Sequence, residues 1–203
     1  MIRAFLAVEL SEAVRNAIGS FQDELKRGVQ RELSREARIS WVQPASIHLT
    51  IKFLGDTDEQ LIAPLHDTVS HAIAMQHAGA VPIERLGAFP RLQAPRVLWV
   101  GPPEGWEHGE EFRRLAAIQQ AIEQCCAEFG FARETKGLHP HLTLARVKEG
   151  ERQVGHGLAR SGVMDRAVSL GSLAIGSIVL MKSDLRPTGS PYTKLWEVKV
   201  GEG

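Results

Sequence analysis

The sequence predicts an α+β fold of two pseudo-symmetric lobes, each an antiparallel sheet with helices outside, facing one another across a central cleft. Three observations carry this reading. The order strand, helix, strand, helix, strand occurs twice along the chain. The central strand of each copy holds a His-x-Thr tripeptide, His48-Leu49-Thr50 and His141-Leu142-Thr143, about half the chain apart. The 203 residues, 43% of them hydrophobic, suffice to bury a core shared by two small lobes. Residues 1–203 are therefore read as one bilobal domain, with lobes near 1–90 and 91–203 and room for strands to be exchanged between them.

In the first copy, residues 2–10 read as a buried strand. Leu10, Val14, Ile18, Phe21 and Leu25 then recur at helical spacings of three and four. Residues 27–38 place Arg27, Arg31, Arg35 and Arg38 on one helical face, which reads as a solvated face. Residues 47–54 alternate as a strand that stops at Gly55-Asp56, and Thr57-x-x-Gln60 has the form of a capping box. The helix behind it carries Leu61, Leu65, Val69 and Ala72, and residues 81–89 form the next strand. In the second copy, residues 95–101 are a strand. Phe112, Leu115, Ile118, Ile122, Cys125 and Phe129 mark an amphipathic helix that Gly130 can end. Residues 141–147 are a strand and 151–161 a short helix. Residues 167–181 and 191–199 are strands on either side of the turn-rich stretch 186–191.

Composition narrows the function. Lys+Arg and Asp+Glu balance at 24 each, which argues against a protein that coats nucleic acid non-specifically. The adjacent Cys125 and Cys126 sit in a helical pattern that does not suit a mutual bridge, and no disulfide framework exists. The apolar run at the N-terminus is too short for a signal-peptide core or a membrane span, and Glu9 interrupts it. The expectation is a cytoplasmic monomer with no membrane partner.

On a strand, residues two apart point the same way. His48 and Thr50 share a face with Leu49 and Ile51 behind them, and His141 and Thr143 share a face with Leu142 and Leu144 behind. Two imidazoles suit displacement at phosphorus. A neutral one takes the proton of the incoming hydroxyl, and a protonated one gives a proton to the departing oxygen. With an unperturbed pKa of about 6.5, both forms coexist near neutrality. The hydroxyls of Thr50 and Thr143 can donate to the non-bridging phosphate oxygens. Strand parity lets Lys52 reach the phosphate as well. Arg146 has the opposite parity from His141 and would face the site only if a bulge re-aimed it. Phe53 reads as core or as a platform for a terminal base. A metal site built on His139-Pro140-His141 lacks a third ligand, and His66, His71 and His77 miss the spacing of helical ligands, so no metal and no cofactor are expected. A phosphate loop of the G-x-x-x-x-G-K-[ST] type is also missing.

The two motifs, His48-Leu49-Thr50-Ile51 and His141-Leu142-Thr143-Leu144, resemble the paired HxTx signatures of the 2H phosphoesterase superfamily. Residues 3–8, Trp41-Val42, 48–55, 87–90, 140–146 and 180–196 more narrowly resemble the bacterial and archaeal RNA 2′,3′-cyclic phosphodiesterases, also called 2′-5′ RNA ligase, LigT or ThpR. The resemblance covers nearly the whole chain and is weakest over 27–40. It implies a LigT-like fold and hydrolysis of RNA 2′,3′-cyclic phosphate termini to 2′-phosphomonoesters. It makes His48 the proton donor, His141 the proton acceptor, Thr50 and Thr143 phosphate-holding hydroxyls, and Arg146 a substrate contact; the pseudo-symmetry alone leaves the two histidines equivalent. It also implies ATP-independent 2′-5′ joining of tRNA halves, the same transesterification run backwards. The alternatives are another 2H activity, on small cyclic nucleotides or 2′-5′ oligoadenylates, and an RNA-end binding module without turnover.

Overall fold

The computed structural model describes residues 1–33, 37–184 and 192–201. The structure is α+β. The strands are β1 (Ile2–Glu9), β2 (Arg38–Trp41), β3 (His48–Thr57), β4 (Ala80–Pro82), β5 (Arg85–Phe89), β6 (Val97–Gly101), β7 (Leu142–Glu149), β8 (Ser172–Ala174), β9 (Ser177–Ser183) and β10 (Tyr192–Lys199). The helices are α1 (Glu12–Gln30), α2 (Ile62–Ala74), α3 (Glu110–Glu128) and α4 (Glu151–Arg160). Among the described residues, eight strands form one antiparallel sheet in the order β10-β9-β1-β3-β7-β6-β5, with β2 added to β7, while β4 and β8 pair separately. The two motif strands meet at the centre of that order through the pair Leu49–Leu142. To one side lies the half-sheet β10-β9-β1-β3, and to the other lies β7-β6-β5 with β2.

Chain halves and half-sheets do not coincide. Helix α1 buries Val14, Ile18, Leu25 and Val29, and its buried Gln22 donates from Nε2 to the carbonyls of Val42 (2.8 Å) and Leu144 (2.9 Å), docking α1 beside β7. Ser11 caps that helix by accepting from the Val14 amide. Helix α3, from the later half of the chain, buries Leu115, Ile118 and Ile122 and is tied to β3 by Lys52 and Glu123. Helix α2 lies against β10, where the Trp196 indole donates to the Ile62 carbonyl. Leu6, Leu49, Leu98 and Leu144, from four neighbouring strands, are fully or almost fully buried. Each such side chain contributes about 1.5–3 kcal/mol relative to exposure. Among the described residues, no helix is long and apolar enough to cross a membrane.

Several local expectations change. Helix α1 ends at Gln30 and Arg38 begins β2, so residues 27–38 are not one helical face; Arg38 instead pairs with Glu149 across β2 and β7 at 3.0 Å. Arg35 and the turn at 186–191 lie outside the described residues. Strand β3 continues through Gly55-Asp56 to Thr57, which is buried and turned back onto the Gly55 carbonyl, and Asp58 caps the next turn by accepting from the Gln60 amide. Residues 81–89 divide into β4 and β5 in different sheets, and 167–181 into β8 and β9. Cys125 and Cys126 are free and buried, and burial pushes the Cys126 thiol up to about 12.

Candidate active site

The site begins with a matched irregularity in the two motif strands. Along β3, Ala7 faces Thr50 but Leu6 faces Lys52, so Ile51 is an extra residue. Along β7, Trp99 faces Thr143 but Leu98 faces Ala145, so Leu144 is extra. A bulge sets two residues against one and reverses the alternation beyond it. Both bulges fall on the residue after the motif threonine. Lys52 and Ala145 therefore turn into the interior, whereas Phe53 and Arg146 turn outward. His48, Thr50, Phe53, His141, Thr143 and Arg146 line one cleft of about 440 Å³.

Arg146 and Phe53 thus face the cleft, Arg146 through the bulge its parity required. Lys52 does not. It is 4% exposed, with Nζ donating to Glu123 Oε2 and to the Ala132 carbonyl, each at 2.8 Å. Simple alternation predicts the opposite, because the bulge cannot be read from the residues. Glu123 Oε2 also accepts from the Glu134 amide at 3.2 Å, so the pair fixes the chain after α3 against β3.

Each imidazole is held in the same way. His48 Nδ1 lies 2.9 Å from the Ser46 carbonyl, and His141 Nδ1 lies 2.7 Å from the His139 carbonyl. A carbonyl only accepts, so Nδ1 carries the hydrogen, and Nε2 is left for chemistry. His139 thus serves through its backbone. Aromatic rings brace both imidazoles. Phe5 stacks on His48 at 4.7 Å and Tyr192 meets it edge-on at 5.1 Å. Phe89 meets His141 edge-on at 5.0 Å, with Trp99 at 6.2 Å. Gly87 makes room for the Trp99 ring, since a Cβ there would run into it. Phe5, Trp99 and Tyr192 are site residues that strand parity did not reveal; Phe5 and Trp99 sit on strands paired with the motif strands, whereas Tyr192 comes from β10, which pairs with β9.

Burial lowers the pKa of both histidines below 6.5, and the hydrogen bond to the backbone carbonyl opposes this in each case. The charge of Arg146 lowers His141 further, and His141 lowers His48. Burial raises the Tyr192 hydroxyl, with Arg146 pulling it back. Such a cleft can move two protons and hold an anion between two hydroxyls and a guanidinium. Among the described residues, no group of three or more His, Cys, Asp or Glu side chains is placed to share a metal ion.

The family model described as LigT like phosphoesterase matches residues 8–99 and 109–192. A protein of Methanothermobacter thermautotrophicus named RNA 2′,3′-cyclic phosphodiesterase is 31% identical over 194 residues, covering 96% of each chain. One of the same name from Aeropyrum pernix is 34% identical over 159 residues, 78% of this chain and 85% of that one. Among solved structures, a Thermus thermophilus protein superposes with a TM-score of 0.71 at 26% identity over the whole of both chains. Escherichia coli LigT in complex with 3′-AMP superposes at 0.70 and 22% identity over 98% of each, a likeness of fold.

Proposed function

Because the chain belongs to the LigT-like phosphoesterase family, we propose that it hydrolyses RNA 2′,3′-cyclic phosphate termini to 2′-phosphomonoesters through His48 and His141. The relatives' name supplies the substrate class. The observation that carries the chemistry is the matched pair of imidazoles, each held at Nδ1 by the carbonyl two residues earlier and both lining one cleft. His141 Nε2 takes the proton of the attacking water, and the charge of Arg146 favours the neutral form that a base needs. Protonated His48 gives its proton to the 3′ oxygen as the P–O3′ bond breaks. Thr50 and Thr143 donate to the non-bridging oxygens, where charge accumulates. Arg146 supports the anion, and Phe53, 69% exposed, offers a face to the terminal base.

With a ribose 5′-hydroxyl in place of water, the same proton transfers join two RNA ends through a 2′-5′ linkage, so tRNA halves fit the same cleft chemistry. On this reading the enzyme acts as a bilobal monomer, since one chain supplies both histidines, and its place of action is the cytoplasm. The test is an RNA oligonucleotide ending in a 2′,3′-cyclic phosphate, with the product phosphate mapped. A 2′-monophosphate is expected. Tight binding without turnover, or a 3′-monophosphate, would overturn the proposal. Small cyclic nucleotides and 2′-5′ oligoadenylates in the same panel separate the other 2H activities.

A further inference from the structure

A second cavity, of about 320 Å³, adjoins the catalytic cleft and shares Phe89 with it. Its walls are mainly aromatic and proline: Phe89, Trp99, Trp106, Phe112, Pro103 and Pro140. Trp99 stands on β6 opposite Thr143, so the cavity continues the face that carries the motif. Trp106 and Phe112 meet edge to face at 5.7 Å and form the outer wall. Pro140 directly precedes His141.

The charges around this cavity say what it can hold. Arg85 lies over the Trp99 ring at 5.1 Å and its Nη1 pairs with Glu104 at 3.0 Å, so its charge is matched by a carboxylate at the same wall. Glu104 and Glu107 are exposed at the rim. An acidic rim repels phosphate, while flat aromatic walls suit an uncharged planar group. A cyclic phosphate ends the RNA at its 3′ side, so every other nucleotide lies upstream of the reacting one. We infer that this cavity is a subsite for the nucleobase next to the terminal nucleotide, stacked on Trp106 with its phosphate kept outside. The inference rests on the RNA-end reading above and deepens it: the enzyme recognises an unpaired dinucleotide end.

The test compares three substrates: a 2′,3′-cyclic mononucleotide, a dinucleotide ending in a 2′,3′-cyclic phosphate, and that dinucleotide with an abasic upstream ribose. The native protein should hydrolyse the intact dinucleotide with a kcat/KM roughly 5- to 100-fold above the abasic one, the range expected for one base on an aromatic platform. In Trp106→Leu the ratio between those two substrates should fall to near one. As a ratio within one protein, it is insensitive to any loss of folded enzyme. Equal rates on intact and abasic dinucleotides by the native protein would overturn the subsite while leaving cyclic phosphate hydrolysis standing. A ratio unchanged in Trp106→Leu would overturn the stacking assignment. Failure to hydrolyse any of the three substrates would instead refute the reading on which the subsite rests.

Discussion

Replacing Lys52 by methionine separates two roles that the sequence allows for it. Lys52 and Glu123 are 4% and 8% exposed, and they meet at 2.8 Å. Methionine keeps most of the stem and removes the ammonium. Glu123 would then stay buried with the Glu134 amide on Oε2 and no hydrogen-bond partner on Oε1, and the Ala132 carbonyl would lose its donor. Leaving one buried charge uncompensated costs about 3–5 kcal/mol. In a chain of this length that lowers Tm by roughly 6–20 °C. Removing both charges, as in Lys52→Met with Glu123→Leu, should restore most of the loss, because an apolar pair of similar volume is often neutral there. Calorimetric or fluorescence melts of the two variants measure this. A phosphate-binding lysine would behave otherwise: KM would rise with Tm unchanged. That outcome, or a double variant no more stable than the single one, would refute the structural role.

Further outcomes follow from the paired imidazoles. His48→Ala and His141→Ala should each lower kcat by about 10²–10⁴, and the double variant should be little worse than either, because both protons belong to one mechanism; additive losses in log kcat would contradict this. Both histidines titrate below 6.5 in the free enzyme, so the bell-shaped kcat/KM profile should have both limbs displaced to acid. The bound phosphate favours the charged imidazoles, so the kcat profile should lie at higher pH, and coincident profiles would count against phosphate contact at both rings. The same lowered values make the fold less stable in acid: the contribution is fully present above pH 6.5 and is lost as pH falls through the folded-state values, which melts between pH 5 and 7.5 can follow. Hydrolysis should survive exhaustive chelation, and loss restored by Zn²⁺ or Mn²⁺ would sink the metal-free mechanism.

The legible parts of this molecule were those fixed by local periodicity. The stripe Val14, Ile18 and Leu25 gives α1, and the alternation around His48 and His141 gives the two motif strands with their threonines on the cleft face. The illegible parts depend on partners distant in the chain. Ile51 and Leu144 become bulge residues because of how β1 and β6 pair with their neighbours, and nothing in either motif announces it. The bulges decide that Phe53 and Arg146, and not Lys52, face the cleft. Tyr192 braces His48 from the other end of the chain. Gln22 reads as one polar residue in an apolar stripe, yet it clamps the carbonyls of Val42 and of Leu144, the latter 122 residues away in the chain.

The interleaving of the chain through the two half-sheets bears on how the protein is made. Synthesis delivers β1 and β3 first, but β9, which flanks β1, and α3, which pins β3, arrive much later. Helix α1 likewise emerges long before the β7 carbonyl that its Gln22 grips. A ribosome-bound nascent chain of about ninety residues therefore carries apolar strand faces and an open strand edge with nothing to cover them, a state prone to aggregation. Cutting the gene at its apparent repeat boundary would yield two insoluble pieces, and co-expressing them should restore a folded pair. A permuted gene that opens between α2 and β4 would still leave each half-sheet waiting on the other end of the chain. The cleft is therefore complete only once β9 and β10 have emerged, after both motif strands.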